Sequence, residues 1–290
     1  IPDVEIRITD GCKKGYDDTI EEIRKFEPDI IGISFYTTLA YGASKLTREV
    51  KKLLPSSLVV MGGAHPTALP RETLEASAAD IVVIGEGEET FYRIVKSISE
   101  DKGLSELANL PGICIKIGDT TRLNPPDKFI TPLDTIPFPA WDIFPMDYYA
   151  LIRVPNTIKN NQRAFPVLSG RGCLFTCNFC FRLDRGFRGR SPESIIEEIQ
   201  ILKKDYKISH INFSDELLMS SVERTMTLCE AFIKAELNIT WTCNGRLNYA
   251  KPEVLKIMKK AGCIFINYGI ESMDDGMLKV IRKALTTAQI

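Results

Sequence analysis

The chain has 290 residues, enough for two domains of ordinary size, and its 44% hydrophobic and 26% charged residues are typical of soluble globular proteins. Its formal net charge of −1 gives no electrostatic reason to expect binding to nucleic acid or to an anionic membrane. Eight cysteines, with no secretory signal and no apolar run of membrane length, indicate the reducing cytoplasm and metal chemistry rather than disulfides.

Residues 1 to about 100 alternate between short β-branched runs and amphipathic helical runs. The strand-like runs are residues 4–8, 29–35, 58–61 and 80–84, and the helical runs are residues 17–26, 43–54 and 89–98. Strands separated by helices of about ten residues form right-handed βαβ units. The first half is therefore predicted to be a doubly wound parallel sheet of the Rossmann-like kind.

Small and hydroxyl-bearing residues follow the predicted strands, where parallel sheets bind their ligands. The candidate residues for contact with a large flat or polar ligand are Ser34, Thr37, Thr38, Gly62, Gly63, His65, Pro66, Gly85, Glu86 and Gly87. Ordinary turn chemistry also places glycine after a strand, so the residues alone leave both explanations open.

Two segments carry a family resemblance. Met61-Gly-Gly-Ala-His-Pro-Thr-Ala-Leu-Pro70 and Asp80-Ile-Val-Val-Ile-Gly-Glu-Gly-Glu-Glu-Thr90 are similar to the cobalamin-binding domain fused to one branch of the radical S-adenosylmethionine (radical SAM) enzymes. The similarity covers most of residues 1–98. It implies that the ten candidate residues lie on loops around the corrin and its nucleotide tail. It also implies that the first strand and helix of this domain are missing upstream.

The early loop departs from many cobalamin proteins, in which the His of an Asp-x-His-x-x-Gly motif ligates cobalt from below. Here the loop reads Thr9-Asp-Gly-Cys-Lys-Lys-Gly15 and contains no histidine. The lower cobalt ligand is then another group, water or nothing. His65 is expected to be a hydrogen-bonded loop former rather than this ligand.

Prolines break the chain between residues 106 and 145, which we expect to be a linker. Residues 113–117 form a predicted edge strand, and the aromatic residues near Trp141 are expected to pack between domains. The predicted domains are residues 1–105 and residues 146–290. The first begins with Ile1 rather than Met and the second stops at Ile290, so both are expected to be truncated.

Three cysteines stand at the spacing Cys173-x3-Cys177-x2-Cys180. Iron–sulfur clusters use soft thiolates and usually take four, so three close cysteines can hold three irons and leave the fourth open to a substrate or cofactor. Zinc would need a fourth ligand, and the nearest histidine, His210, is thirty residues beyond Cys180. Three buried structural cysteines remain the other alternative.

The three cysteines, with the aromatic Phe179 before the last of them, resemble the radical SAM signature. This resemblance implies a [4Fe–4S] cluster whose open iron chelates the amino and carboxylate groups of S-adenosylmethionine. Reduction by one electron, from a reductase such as flavodoxin or ferredoxin, then yields a 5′-deoxyadenosyl radical.

Strands and helices alternate again after the cysteines. The predicted strands are residues 165–168, 208–213, 239–244 and 263–268, and the predicted helices begin at Pro192 with Ser191 as N-cap, at Val222, at Pro252 and at Asp274. This order predicts a partial (βα)6 radical SAM barrel with four of the six units. The basic stretch 182–190 is interpreted either as a solvated loop or as a contact for a carboxylate or phosphate.

Polar residues at the carboxyl ends of these strands are the further site candidates. By resemblance, Asp215 and Glu216 hold the amino group of S-adenosylmethionine, Glu271 and Ser272 contact its ribose or methionyl part, and Arg246 could bind its carboxylate. Strand-end caps and surface ion pairs are the structural alternatives.

The two resemblances together imply a cobalamin-dependent radical SAM enzyme that acts on a small molecule in the cytoplasm. The commonest reaction implied is methylation of an unactivated carbon through methylcobalamin. The rival within the family is an oxidative ring closure, as in the anaerobic cyclase of a magnesium porphyrin ester. A non-catalytic iron–sulfur electron carrier or sensor is the alternative from another class.

Overall fold

The structure is a computed structural model that describes residues 1, 4–100, 102–118, 120–126, 128–150, 162–183 and 186–290. It divides into two compact units, an N-terminal unit (Ile1–Ile130) and a C-terminal unit (Thr131–Ile290). Asp184 and Arg185, which belong to the predicted basic stretch, lie outside the described residues. Every helix among the described residues is too short or too polar to cross a bilayer.

The described part of the N-terminal unit contains five strands and seven α-helices. The strands are β1 (Ile30–Ser34), β2 (Leu58–Gly62), β3 (Ile81–Val83), β4 (Ile113–Ile117) and β5 (Thr120–Leu123). The helices are α1 (Gly11–Lys14), α2 (Tyr16–Phe26), α3 (Ala40–Leu53), α4 (Ala64–Ala68), α5 (Pro70–Glu75), α6 (Gly87–Ser99) and α7 (Leu104–Leu107).

The five strands form one sheet in the order β1-β2-β3-β4-β5. β1, β2 and β3 are parallel, whereas β4 and β5 add an antiparallel hairpin beside β3. Alternate residues of β2 enter two separate cores, with Val59 and Met61 in one and Leu58 and Val60 in the other. A sheet buried on both faces explains why these strands are continuous apolar runs, and the predicted doubly wound sheet is confirmed.

Two local features of this unit differ from the sequence expectations. The predicted strand at residues 4–8 is wrong, since these residues are irregular and Ile6 is exposed. An alternating pattern forms a strand only beside a sheet edge, and among the described residues this segment pairs with none. β4 and β5 lie in the segment that we expected to be a linker, and β4 is an inner strand of the sheet rather than an edge strand.

The described part of the C-terminal unit contains six strands and five α-helices. The strands are β6 (Ala164–Val167), β7 (Gly170–Cys173), β8 (Gly186–Gly189), β9 (His210–Phe213), β10 (Thr240–Gly245) and β11 (Cys263–Tyr268). The helices are α8 (Met146–Tyr149), α9 (Pro192–Tyr206), α10 (Val222–Lys234), α11 (Pro252–Lys260) and α12 (Asp275–Val280).

Four of these strands form a parallel sheet in the order β11-β10-β9-β6, as the predicted βα units require. The apolar faces of α9, α10 and α11 pack on this sheet and bury the Trp241 ring, which meets the Phe213 ring at 83° with the centroids 5.6 Å apart. Ser191 caps α9 by accepting a hydrogen bond from the Ser194 amide, as predicted. β7 and β8 form a separate antiparallel hairpin.

His210 is the first residue of β9 and has no exposed surface. Its Nδ1 lies 2.8 Å from the Thr240 hydroxyl, and its Nε2 has no hydrogen-bond partner among the described residues. Burial lowers the pKa of the imidazole to about 4. The folded C-terminal unit therefore holds a neutral histidine at every pH above that value.

This buried histidine predicts a loss of stability in acid. In the unfolded chain the imidazole titrates near pH 6.5, so between about pH 6.5 and 4 the unfolded state binds a proton that the folded state does not. The free energy of unfolding should fall over this window by at most about 3 kcal/mol on account of His210. Urea unfolding followed by circular dichroism from pH 7 to 4 measures this loss.

The matched variants His210→Gln and His65→Gln isolate the contribution, because the chain has two histidines. His210→Gln should flatten the pH dependence of the unfolding free energy, and His65→Gln should keep it. Equal slopes for wild type and His210→Gln would contradict the assignment.

Candidate functional site

The ten residues predicted to surround cobalamin all lie at or just after the carboxyl ends of β1, β2 and β3, hereafter the carboxyl edge of the N-terminal sheet. β1, β2 and β3 are parallel neighbours, so their carboxyl ends meet there. Ser34 ends β1 and Gly62 ends β2, Gly63, His65 and Pro66 open α4, and Gly87 begins α6. The structure thus brings together residues that are up to fifty-three positions apart in the sequence, from Ser34 to Gly87.

Hydrogen bonds join the three loops of this edge to one another. The Phe35 amide donates to the Gly62 carbonyl over 3.2 Å, His65 Nδ1 lies 3.2 Å from the Thr37 hydroxyl, and the Gly85 amide donates to the Thr67 hydroxyl over 3.0 Å. His65 also packs against the Phe35 ring, with the centroids 5.6 Å apart. These contacts are those of the loop former that we expected His65 to be.

Gly63 is the residue of this edge that tolerates no side chain. Its φ of 99° lies in the left-handed region, and a Cβ would come within 2.9 Å of both the Phe35 carbonyl oxygen and the Ser34 hydroxyl. At the third loop, Glu86 accepts a hydrogen bond from the Ile130 amide over 2.8 Å. The edge therefore presents small residues and fixed backbone to a ligand, as close contact with a large planar group requires.

The three cysteines lie on a loop that begins at the end of β7, hereafter the cysteine loop (residues 173–180). Cys177 is buried, Cys173 is half-buried and Cys180 is exposed. Burial raises the pKa of the Cys180 thiol, and Glu216, Cys177 and Cys173 raise it further. The Glu216 carboxylate and the sulfurs of Cys173 and Cys177 thus lie close to the Cys180 sulfur.

These residues fit an iron–sulfur cluster by the chemistry of the donor set, which is three soft thiols on one loop. Within the described part of the chain, no three Cys, His, Asp or Glu side chains already converge as ligands of a metal ion. Metal binding at these cysteines requires that their thiols be deprotonated.

Arg246, which follows β10, is buried against the cysteine loop. Its Nη1 donates to Cys177 Sγ over 3.7 Å, and its guanidinium carbon lies 3.5 Å from the centroid of the Phe175 ring. Its Nη2 donates to the Lys283 carbonyl and its Nε to Asn248 Oδ1 over 3.2 Å. The structure thus places Arg246 on a cluster cysteine, and its contact with a ligand carboxylate stays a prediction.

Asp215 and Glu216 are adjacent, but the structure gives them different surroundings. Asp215 is 1% exposed and accepts hydrogen bonds from the amide and the hydroxyl of Ser169, over 3.0 and 2.8 Å. Glu216 is exposed near Cys180. Of the two carboxylates predicted to hold an amino group, Glu216 is accessible, whereas Asp215 binds the residue that precedes β7.

Burial raises the pKa of Asp215, and the hydrogen bonds from Ser169 oppose this rise. Arg224, on α10, faces the same point, because its Nη2 donates to the Ser169 carbonyl over 2.7 Å. Gly189 makes room for this guanidinium, since a Cβ there would lie 2.5 Å from it. No motif in the sequence marked Ser169 or Arg224, because their roles depend on contacts with residues 46 and 55 positions away.

The other predicted contacts of S-adenosylmethionine lie in two places. Phe179 is 53% exposed on the cysteine loop. Glu271 follows β11, has a φ of 67° and pairs with Lys283 Nζ over 3.1 Å. Ser272 is half-buried, and its hydroxyl accepts a hydrogen bond from the Asp274 amide before α12. Lys283 Nζ also lies 5.7 Å from the centroid of the Phe179 ring, so Lys283 links Glu271 to the cysteine loop.

Two protein families match this chain. Residues 3–95 match the B12 binding domain, and residues 167–290 match the Radical SAM superfamily. The two matches fall on the two sheets described above, one in each unit.

Known proteins resemble nearly the whole chain. An uncharacterized methyltransferase of Pyrococcus horikoshii is 34% identical over 98% of this chain and 61% of its own length. The anaerobic magnesium-protoporphyrin IX monomethyl ester cyclase of Rubrivivax gelatinosus is 29% identical over 94% of this chain and 49% of its own. The chain therefore spans about half to three fifths of the length of these relatives.

A solved structure supports the fold. The cobalamin-dependent S-adenosylmethionine radical enzyme OxsB, with aqua-cobalamin and S-adenosylmethionine bound, superposes with a TM-score of 0.79. The match covers 95% of this chain and 40% of OxsB at 21% identity. At this identity the likeness concerns the fold.

The contact between Asp215 and Ser169 is expected to anchor the start of the cysteine loop. Asp215→Asn keeps the shape but removes the charge that faces Arg224, so the Ser169 amide and hydroxyl lose part of their acceptor. We expect the free energy of unfolding to fall by about 1–3 kcal/mol, the cost of leaving buried polar groups poorly paired. Amide hydrogen exchange of residues 169–173 should accelerate.

Glu216→Gln is the matched control, since it removes the neighbouring but exposed carboxylate. It should leave the exchange of residues 169–173 unchanged. Unaltered exchange in Asp215→Asn would show that the anchor lies elsewhere.

Proposed function

The chain belongs to the cobalamin-binding radical SAM family, and from this premise we propose that it works as an enzyme with two cofactor sites. Residues 1–105 would hold cobalamin, and residues 146–290 would hold a [4Fe–4S] cluster with S-adenosylmethionine. Of the segment between them, β4 and β5 belong to the N-terminal sheet. The observation that carries the proposal is the cysteine loop at the carboxyl ends of a parallel sheet, on the same chain as a B12 binding domain. Cofactors of this kind supply reactions that side chains cannot.

The chain's own residues would bind and orient. Cys173, Cys177 and Cys180 would hold three irons, and the Arg246 N–H would stabilise the negative charge on Cys177 Sγ. The exposed Glu216 carboxylate would accept hydrogen bonds from the ammonium group of S-adenosylmethionine. Phe179 is exposed on the cysteine loop and would lie beside it. When bound, the cluster and cobalamin would supply the radical cleavage and the methyl group, respectively.

Methylation of a carbon in a small molecule is the reaction that we favour. The relative from Pyrococcus horikoshii, which is named a methyltransferase, is 34% identical to this chain. Oxidative ring closure is the second candidate, because a cyclase of Rubrivivax gelatinosus is 29% identical over 94% of the chain. The identity of the substrate distinguishes the two, and a methyl group on the product would decide for the first.

We further propose a cytoplasmic location and an electron donor such as flavodoxin or ferredoxin. Eight cysteines, all free among the described residues, and a cluster with one open iron both require a reducing compartment. The exposure of Cys180 and Phe179 leaves this side of the cysteine loop accessible from the surface of the C-terminal unit.

A pair of variants tests the two cofactor sites separately. Protein from cobalamin-supplied cells is reconstituted with iron and sulfide, and 5′-deoxyadenosine is measured after incubation with S-adenosylmethionine and dithionite, alongside the cobalamin absorption spectrum. Cys180→Ala should reduce 5′-deoxyadenosine to the level without dithionite and keep the cobalamin spectrum. Gly63→Ala should lose cobalamin, because the new methyl group collides with the Phe35 backbone and the Ser34 hydroxyl, and it should keep the cluster.

Each variant has a matched control in the same chain. Cys12→Ala removes an exposed cysteine outside the motif, and Gly42→Ala adds a methyl group where nothing lies within 4 Å. Both should behave as wild type. A wild-type protein that binds a cluster but forms no 5′-deoxyadenosine above background would favour the non-catalytic carrier or sensor, and a protein without cobalamin would refute the N-terminal site.

A further inference from the structure

Lys283 is a buried lysine that lies beside the cysteine loop. Its exposed fraction is 7%, although lysine is among the residues least often buried. Its ammonium group pairs with Glu271 over 3.1 Å and lies 5.7 Å from the centroid of the Phe179 ring, within the range of a cation–π contact. The burial of this cation between two specific partners indicates that its ammonium group has a role besides packing.

Gly269 provides the space that this ion pair occupies. A Cβ at that position would lie 2.5 Å from Glu271 Oε1 and 2.9 Å from Lys283 Nζ. The φ of Gly269 is not in the left-handed region, so backbone conformation alone does not require glycine there. A side chain at this position would therefore require the Glu271 carboxylate and the Lys283 ammonium group to move.

The backbone around Lys283 is fixed at several points. Val280 and Ile281 accept hydrogen bonds from Asn178 of the cysteine loop, over 3.0 and 3.2 Å, and Ala284 accepts one from Asn248 over 2.8 Å. Arg282 and Ala284 flank Lys283 with φ values of 53° and 51°, which are uncommon for residues other than glycine. Such a conformation persists where surrounding contacts enforce it.

The two ends of Lys283 thus reach the neighbours of two cluster cysteines. Its ammonium group lies against Phe179, which precedes Cys180, and its carbonyl accepts a hydrogen bond from Arg246, which donates to Cys177 Sγ. Lys283 is therefore linked directly to the Cys180 side of the turn through Phe179, and indirectly to the Cys177 side through Arg246.

We propose that Lys283 is a positioning residue, which fastens the cysteine loop in the arrangement that presents its thiols to the cluster. The inference rests on the proposed function, because it takes the loop to be the cluster site.

Two variants disrupt this contact in different ways, and a third retains the charge. Lys283→Met removes the charge and keeps an unbranched side chain, and Gly269→Ala displaces the ion pair while both charges remain. Lys283→Arg restores the charge. Lys279→Met is the matched control, because Lys279 is an exposed lysine on the neighbouring helix α12.

Loop order is measured in the protein before cluster reconstitution, so the result does not depend on S-adenosylmethionine cleavage. The readouts are amide hydrogen exchange of residues 174–182 and the rate at which iodoacetamide alkylates Cys180, read by mass spectrometry. Both rates should rise about three- to fivefold in Lys283→Met and Gly269→Ala, the size expected for loss of a partly buried ion pair and a cation–π contact. Lys283→Arg should recover part of the protection, and Lys279→Met should match wild type.

Iron content after reconstitution gives a second measurement, which should fall in Lys283→Met and Gly269→Ala relative to Lys279→Met. Should Lys283→Met fail to fold by circular dichroism, Gly269→Ala decides alone. Exchange, alkylation and iron content equal to wild type in Gly269→Ala would overturn the proposal. If the wild-type protein takes up no iron, the proposed function is refuted instead. The exchange result then still tests whether Lys283 orders the cysteine loop.

Discussion

The buried contact between Asp215 and Ser169 is the fixed point from which the cysteine loop is built. It joins the end of β9 to the residue before β7, and Arg224 closes the same point from α10. A carboxylate that is 1% exposed persists only where donors satisfy it, so the contact ties the loop to the sheet at one place. The orientation of β7, and with it the position of Cys173, follows from that attachment.

Other contacts of the loop come from residues far along the chain, and two of these residues are cations. Arg246 lies on Cys177, and Lys283 lies beside Phe179. Two buried cations without nearby anions of equal number would be costly in a folded protein. In the proposed cluster site, the thiolates of the cysteine loop would supply negative charge beside Arg246, whose Nη1 donates to Cys177 Sγ.

Much of the fold was predictable from the sequence because most of its strands and helices are marked by local patterns, although the hairpin strands β7 and β8 are not. The continuous apolar runs at β1 and β2 and the Ser191-Pro192 helix start depend on neighbouring residues alone. The strand predicted at residues 4–8 does not form, because an alternating run needs a partner strand and the local sequence does not reveal whether one is present. The cysteines were recognisable by their spacing. Ser169 and Arg224 were not, because their contacts join residues 46 and 55 positions apart. Lys283 was not, because its partner Glu271 is brought to it by the turn that follows helix α12.

The account depends most on the claim that the cysteine loop holds a cluster with one open iron. Mössbauer spectra of protein reconstituted with enriched iron, recorded with and without S-adenosylmethionine, test this directly. We predict that one iron of the four changes its isomer shift when S-adenosylmethionine is added, because three thiolates from Cys173, Cys177 and Cys180 leave that iron free to bind it. Spectra that are identical in the two samples, with four equivalent irons, would contradict the account.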